Sequence, residues 1–233
     1  MIKGILFDKD GTLIEFNSLW INLTKKIVHD IIKQYNIDEK NTIPMLEVLG
    51  IQANDTLVSN SLIASETLYD SAQALAPFIN ESTETLYKLL DEMYYVGTCQ
   101  HPDAIKPIGD VKKLFQELHN KNIRVGIVTA DQYNVTAFTL QYLGLMPYVD
   151  FIATADTYPK KPSPEALHAF CNKFNLQQSD VIHIGDTKVD MLFGQNTKQP
   201  VGVLSGTSDL ATLQQYSTTV LPTIHDIVHH FRL

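Results

Sequence analysis

The segment IKGILFDKDGTL, residues 2–13, decides the fold. Its first half, residues 2–7, is a short apolar run, and its second half brings two aspartates and a glycine. A continuous apolar run of this length, bounded by turn residues, predicts a strand of a parallel sheet that is covered on both faces. We therefore expect Asp8 and Asp10 to lie just beyond the end of a buried strand.

Strand and helix patterns alternate in the second half of the chain. Strands are predicted at residues 123–128, 149–153, 181–184 and 201–204, and helices at residues 110–120, 132–143, 163–174 and 188–194. The helix of residues 163–174 begins favourably, because Ser163 can cap it and Pro164 suits its first turn. This alternation predicts an α/β fold with a doubly wound, Rossmann-like parallel sheet, which the strand of residues 2–7 must join.

The block between about residues 18 and 97 has a different character. Its apolar residues recur at three- and four-residue steps, first from Trp20 to Tyr35 and then in residues 41–49, 64–78 and 82–96. Such spacing is typical of amphipathic helices. We therefore predict an α/β core made of residues 1–15 and 106–233, with residues 16–105 inserted after the first strand as a helical cap, a small bundle.

The composition narrows the class of protein. The chain has 233 residues with 44% apolar and 19% charged residues, as in ordinary soluble proteins, and its net charge of −8 argues against general nucleic-acid or anionic-membrane binding. The two cysteines, Cys99 and Cys171, have no metal-ligand spacing and suit a reducing compartment. The apolar start of the chain is too short for a signal peptide or a membrane span, so we expect a cytoplasmic protein. The sequence leaves the oligomeric state open.

Chemically capable side chains follow the predicted strands. They are Asp8, Asp10, Thr129, Ala130, Lys161, Asp186 and Asp190. Each one alone has an ordinary explanation as a turn, a cap or a surface residue. In an open parallel sheet, however, ligands bind beyond the carboxyl ends of the strands, near the point where strand order reverses. The joint occurrence therefore predicts one functional site at that edge.

Four short motifs make the pattern specific. They are DKDGTL at residues 8–13, IVT at 127–129, KPSPE at 161–165 and GDTKVD at 185–190. In these motifs the sequence resembles the haloacid dehalogenase-like hydrolase superfamily, in particular its phosphoglycolate-phosphatase-like branch. The resemblance spans nearly all of the predicted core, whereas the inserted helices resemble the cap of that branch only in position and helical character.

The resemblance implies a phosphatase that acts on a small phosphate ester. Asp8 would attack phosphorus and form an aspartyl-phosphate, and Asp10 would protonate the leaving oxygen and later activate water. Thr129 and the backbone N–H of Ala130 would hold phosphoryl oxygens, and Lys161 would neutralise charge.

Charge counting indicates a divalent metal ion. Asp8, Asp186 and Asp190 bring three negative charges, and a phosphate monoester dianion would add two more, against the one positive charge of Lys161. Oxygen ligands favour Mg²⁺ over zinc. The resemblance implies that Asp8, the Asp10 carbonyl and Asp186 bind this ion directly, and that Asp190 acts through water or by orienting Lys161.

Two departures from the branch and several alternatives accompany this hypothesis. Lys9 stands where an apolar residue is usual, and Ala130-Asp131 replaces a continuation that usually contains Asn. A sugar phosphomutase on the same scaffold and a non-enzymatic phosphoacceptor signalling domain remain alternatives. Asp10 favours phosphate esters over dehalogenation. The substrate and the residues that select it stay open, with residues 51–60 as one candidate region, and His183 is interpreted as structural.

Overall fold

A computed structural model of the chain describes residues 1–233, and its centre is a six-stranded sheet. All neighbouring strands are parallel, in the order β3-β2-β1-β4-β5-β6. The strands are β1 (Gly4–Phe7), β2 (Arg124–Val128), β3 (Phe151–Ala153), β4 (Val181–Gly185), β5 (Gln199–Val203) and β6 (Val220–Leu221). This confirms the α/β class with a doubly wound parallel sheet.

Eleven helices accompany the sheet. Six lie between β1 and β2, and the first five of them are α1 (Phe16–Gln34), α2 (Thr42–Leu49), α3 (Leu62–Ser65), α4 (Leu68–Ile79) and α5 (Thr83–Gln100). The other six are α6 (Val111–Asn120), α7 (Tyr133–Tyr142), α8 (Glu165–Phe174), α9 (Lys188–Gly194), α10 (Leu210–Gln214) and α11 (Ile227–His230). None of the helices is both long enough and apolar enough to cross a membrane.

Strand β1 lies at the centre because its side chains are apolar on both faces. Ile5 and Phe7 belong to the larger apolar cluster, whereas Leu6 belongs to a separate cluster on the opposite face. All three side chains are fully buried. This alternation is what a strand between two layers of helices requires.

Helices α1 to α5 pack against one another, with α4 on α2 and α5 and with α1 on α2 and α5. The α1 side chains from Phe16 to Ile32 include a stripe of ten buried residues, and Trp20 packs on Tyr94 of α5 with ring centroids 5.6 Å apart. Helix α4 begins with a capping box, in which Thr67 accepts from the Asp70 N–H and Asp70 accepts from the Thr67 N–H. Helical periodicity in this block was therefore a reliable signal.

Several predicted boundaries were wrong. The helix predicted from residue 163 begins at Glu165, and neither Ser163 nor Pro164 makes a side-chain cap. The helix predicted at residues 64–78 is two helices, α3 and α4, because the capping box at Thr67 starts a new one. The strand predicted at residues 149–153 has only three residues, and the small elements β6, α10 and α11 were not predicted.

Phe170 of α8 provides a test of the second apolar cluster. Its ring is fully buried beside Gly4 and Gly126, where a Cβ added to either glycine would lie 2.7 Å or 3.2 Å from it, respectively. We expect Phe170→Ala to lower the free energy of unfolding by about 3–5 kcal/mol, because it leaves a cavity against β1 and β2. Urea titration measures this change. Ile43→Ala, at a 53% exposed position, is the control and should stay within about 0.5 kcal/mol; equal effects of the two variants would contradict the packing.

Candidate active site

The strand order reverses between β1 and β4, and this is where the acidic side chains meet. From β1 the chain moves to β2 and β3 on one side, and from β4 to β5 and β6 on the other. Asp8 directly follows β1 and Asp186 directly follows β4. One carboxylate oxygen each from Asp8, Asp186 and Asp190 lie within 4.8 Å of one another. The structure thus brings these three predicted residues together at the expected edge.

Lys161 holds two of these carboxylates. Its Nζ donates to Asp8 Oδ1 at 2.6 Å and to Asp190 Oδ1 at 2.6 Å, and its side chain is only 6% exposed. Burial alone would lower the pKa of this ammonium, but Asp190 and Asp8 raise it, so Lys161 stays charged. Lys161, which was predicted from its motif, therefore links the end of β1 to α9 through these two hydrogen bonds.

Asp190 is enclosed by hydrogen-bond donors. Besides Lys161, His183 Nε2 lies 2.9 Å from Oδ1, and Oδ2 accepts from the backbone N–H and the hydroxyl of Thr187, at 3.1 Å and 2.6 Å. Burial would raise the pKa of this carboxyl, but Lys161 and His183 hold it well below the usual range. Burial also lowers the pKa of His183, which keeps the imidazole neutral. Asp190 is thus an ionised residue whose two oxygens both have partners within the protein.

Asp186 is held in a different way. Thr12 donates to its Oδ1 at 3.2 Å, and Thr207 donates to its Oδ2 through N–H and hydroxyl, at 2.7 Å and 3.0 Å. Gly11, at φ 81°, and Gly206 lie so close to the carboxylate that any Cβ there would collide with it. Sequence reasoning missed the roles of Thr12 and Thr207. The DGT motif could have signalled the first, but nothing local marks the second.

Negative charge exceeds positive charge at this cluster. Burial raises the pKa of Asp186 to about 7, with a further contribution from the neighbouring Asp190. Burial also raises the pKa of Asp8 well above its ordinary value, although Lys161 opposes the shift. The three buried carboxylates form an all-oxygen donor set, which is the chemistry that Mg²⁺ prefers, and Lys161 supplies the one positive charge beside them. The residues present therefore fit a divalent cation.

A second charged network surrounds Asp10. Lys9 is fully buried, and its Nζ lies 2.8 Å from Asp10 and 3.0 Å from Asp131. The indole N–H of Trp20 donates to Asp10 Oδ1 at 2.6 Å. Burial raises the pKa of Asp131 to about 6, while Lys9 opposes this shift. The two unusual residues of the sequence, Lys9 and Asp131, are thus an ion pair that also holds Asp10.

A cavity connects both networks to the helices between β1 and β2. It is lined at the sheet by Thr129, Ala130 and the acids, and on the opposite side by residues of α1, α3, α4 and α5. Residues 51–60, one candidate region for selectivity, do not line this cavity. Asn60 instead accepts a hydrogen bond from the Lys188 backbone. Residues 63–71 take the place expected for that region.

A family model described as haloacid dehalogenase-like hydrolase matches residues 2–197. Among curated proteins, the chain is 26% identical over 201 residues to the putative pyrophosphatase PpaX of Clostridium perfringens, covering 84% of this chain and 80% of the relative. It is 24% identical over 196 residues to a phosphoglycolate phosphatase of Vibrio vulnificus, with the same coverage of 84% and 80%.

Solved structures agree on the fold. A predicted phosphoglycolate phosphatase from Haemophilus somnus superposes with a TM-score of 0.72 at 19% identity, covering 99% of this chain and 98% of that one. A putative haloacid dehalogenase-like hydrolase from Bacteroides fragilis gives a TM-score of 0.71 at 16% identity, with 97% and 100% coverage. The whole chain, including its helices between β1 and β2, therefore has a known architecture.

The Lys9 ion pair gives a stability prediction. We expect Lys9→Met to lower the free energy of unfolding by about 3–5 kcal/mol, because it leaves Asp10 and Asp131 without their buried counter-charge. Adding Asp131→Asn to Lys9→Met should recover part of this loss. The control is Lys26→Met, which breaks a surface pair with Asp30 and should cost less than about 0.5 kcal/mol. Denaturant titration of the four proteins measures these changes in the free energy of unfolding; a Lys9→Met protein as stable as Lys26→Met would contradict the prediction.

The raised carboxyl pKa values give a pH prediction for the metal-free protein. Between the ordinary aspartate pKa near about 4 and the value of about 7 for Asp186, the folded protein binds more protons than the unfolded chain. The free energy of unfolding should therefore fall as pH rises through this window, by on the order of 3 kcal/mol. Thermal unfolding in EDTA from pH 4.5 to 7.5 measures the slope.

Asp186→Asn is the matched variant for this pH experiment. It should flatten the slope and stabilise the metal-free protein at pH 7.5, because it removes one of the crowded charges. Mg²⁺ at millimolar concentration should raise the wild-type melting temperature at pH 7.5 and leave that of Asp186→Asn nearly unchanged. If the free energy of unfolding in EDTA instead rose with pH over this window, the raised carboxyl pKa values would be refuted.

Proposed function

The chain belongs to the haloacid dehalogenase-like hydrolase family, and from this premise we propose that it is a magnesium-dependent phosphatase of a small phosphorylated metabolite. The observation that carries the proposal is the Asp8 carboxylate, which follows β1 at the reversal of strand order and is paired with Lys161 at 2.6 Å. The printed names of the relatives, a putative pyrophosphatase and a phosphoglycolate phosphatase, support phosphoryl transfer to water.

Asp8 is the nucleophile in this proposal. One of its carboxylate oxygens forms a bond to phosphorus while the bond from phosphorus to the leaving oxygen breaks, which yields an aspartyl-phosphate. The hydrogen bond from Lys161 fixes the orientation of the carboxylate and lies where negative charge on the phosphoryl oxygens needs a donor. A water molecule then attacks the same phosphorus, which releases phosphate and restores Asp8.

Asp10 is the general acid and base. It lies two residues beyond Asp8 and lines the same cavity. Its carboxyl would give a proton to the leaving oxygen in the first step and take one from the attacking water in the second. Lys9 and Trp20 hold this carboxyl in one position, so proton transfer needs no search among side-chain rotamers.

The end of β2 supplies the remaining contacts to the phosphoryl group. Thr129 is 5% exposed, and its hydroxyl accepts from the Asp131 N–H at 3.2 Å, which leaves its own proton available for a phosphoryl oxygen. The neighbouring Ala130 also lines the cavity, and we assign its N–H to the same role. Together with Lys161 these donors would stabilise charge on the transferred group.

The metal role is assigned from the all-oxygen donors and the excess negative charge of this cluster. We assign direct binding of Mg²⁺ to the Asp8 and Asp186 carboxylates and to the Asp10 backbone carbonyl. When bound, the ion would offset the carboxylate charges and allow a phosphate dianion to approach. Asp190 would act by orienting Lys161, because its Oδ1 accepts from the Lys161 ammonium at 2.6 Å.

The same proposal divides the chain by role. Residues 1–15 and 106–233 would form the catalytic core, and residues 16–105 a cap that covers the substrate. Residues of this cap line the same cavity as Asp8 and Asp10, where they would exclude water during the first step. A salt bridge from Lys160 to Glu66 and Asp70, each at 2.8 Å, joins the loop after β3 to this cap.

Hydrolysis of p-nitrophenyl phosphate tests the proposal. We expect turnover that requires Mg²⁺, is lost in EDTA and falls by at least about 10⁴-fold in Asp8→Asn, because the amide is no nucleophile. Asp30→Asn, an exposed carboxylate on α1, is the matched control and should keep wild-type activity. Circular dichroism checks that Asp8→Asn is folded. An active Asp8→Asn protein would disprove the aspartyl-phosphate route, and an isomerised sugar phosphate without phosphate release would indicate a mutase.

A further inference from the structure

We infer that the leaving group of the substrate is uncharged and partly apolar, an alcohol rather than a carboxylate-bearing or phosphate leaving group. This inference rests on the proposed phosphatase function and specifies its substrate class. It separates the chain from the activities in its relatives' names, because glycolate and phosphate both leave as anions. Three features of the cavity carry the inference.

The first feature is the charge of the cavity wall. Six charged side chains line it, and five are acids, namely Asp8, Asp10, Asp131, Asp190 and Glu66. The single base is Lys161, whose ammonium is already shared by Asp8 and Asp190. An anionic leaving group would therefore enter a region of negative charge with no cation of the protein free to receive it.

The second feature is the position of Glu66 and Lys160. Glu66 is the one charged residue that α1, α3, α4, α5 and their connections contribute to the wall. Lys160 pairs with Glu66, but it does not line the cavity. Its Nζ is held at 2.8 Å by both Glu66 and Asp70. A carboxylate at the cap end of the cavity would thus face Glu66 rather than a lysine.

The third feature is the apolar surface opposite Asp8. It consists of Phe16, Trp20, Ile63, Ala64, Leu68 and Tyr94. Trp20 and Tyr94 pack on each other, and their polar atoms are already bonded to Asp10 and to Thr24. Both rings line the cavity, and the Lys9 ammonium that lies 5.2 Å from the Trp20 ring centroid is already paired with Asp10 and Asp131. A wall of this kind binds the carbon skeleton of an alcohol, with hydroxyl groups such as that of Ser71 nearby for polar contacts.

A matched pair of substrates tests the inference. 2-Hydroxyethyl phosphate and 2-phosphoglycolate have the same chain length and differ in whether the far end is a hydroxyl or a carboxylate. We expect kcat/KM of the full chain with Mg²⁺ to be at least about a hundredfold higher for 2-hydroxyethyl phosphate, because the carboxylate would remain unpaired. Pyrophosphate, assayed alongside, should be as poor as 2-phosphoglycolate.

The outcomes distinguish this inference from the function on which it rests. Hydrolysis of p-nitrophenyl phosphate that depends on Asp8, together with equal or faster hydrolysis of 2-phosphoglycolate or pyrophosphate, would overturn the substrate class and keep the phosphatase. Absence of hydrolysis for every ester in a folded, Mg²⁺-loaded protein would overturn both. The wild-type ratio of the two substrates decides the substrate class, and Asp8→Asn decides the phosphatase route.

A charge placed on the cap wall gives a second, independent test. Ile63 is half-buried and lines the cavity, and lysine and methionine have similar length at this position. Ile63→Lys should narrow the ratio between 2-hydroxyethyl phosphate and 2-phosphoglycolate by at least about tenfold, whereas Ile63→Met should leave it unchanged. Equal ratios in the two variants would show that charge at this wall does not select the leaving group.

Discussion

The ion triple of Asp8, Lys161 and Asp190 is the interaction on which the rest of the site depends. It joins the end of β1, the loop after β3 and the first turn of α9 through two contacts of 2.6 Å. Each member is buried, so removing one would leave an uncompensated charge inside the protein. His183 within β4 and Thr187 at the start of α9 support Asp190 from behind, so the structural role predicted for His183 extends to the positioning of Lys161.

A second buried network gives the chain its individual character. Lys9 stands between the two aspartates of the first motif, and its ammonium is buried. It can be buried there because the Asp131 carboxylate on the neighbouring loop compensates its charge. The same ammonium and the Trp20 indole both contact Asp10. Through Trp20, a helix of the inserted segment touches the proposed acid directly. The packing of α1 against α5 and the orientation of Asp10 are therefore physically linked.

The sequence was sufficient for the sheet, for the helical character of the segment after β1 and for the assembly of the acids, because each depends on local periodicity or on strand ends. DKDGTL and GDTKVD follow adjacent parallel strands, so their aspartates had to meet. The sequence was insufficient where a site residue depends on a hydrogen-bond or charge partner that is remote in the chain. Thr207 binds Asp186 across 21 residues, and Asp131 reaches Lys9 across the sheet edge, with no spacing rule that relates them. The cavity wall depends on how α1, α3, α4 and α5 pack, which no local pattern reveals, so the residues that line it could not be singled out in advance.

Charge assigns different tasks to the two ends of the cavity. At the sheet end, three buried carboxylates against one lysine create a deficit of positive charge that a divalent cation and a phosphoryl group can satisfy together. At the cap end, Glu66 and the aromatic rings offer no such compensation. A phosphate ester of a neutral alcohol matches both ends in one orientation only, with phosphorus at Asp8 and carbon against Trp20 and Tyr94. The electrostatic arrangement proposed to recruit the metal would thus also orient the substrate, so catalysis and selectivity would arise from one distribution of charge.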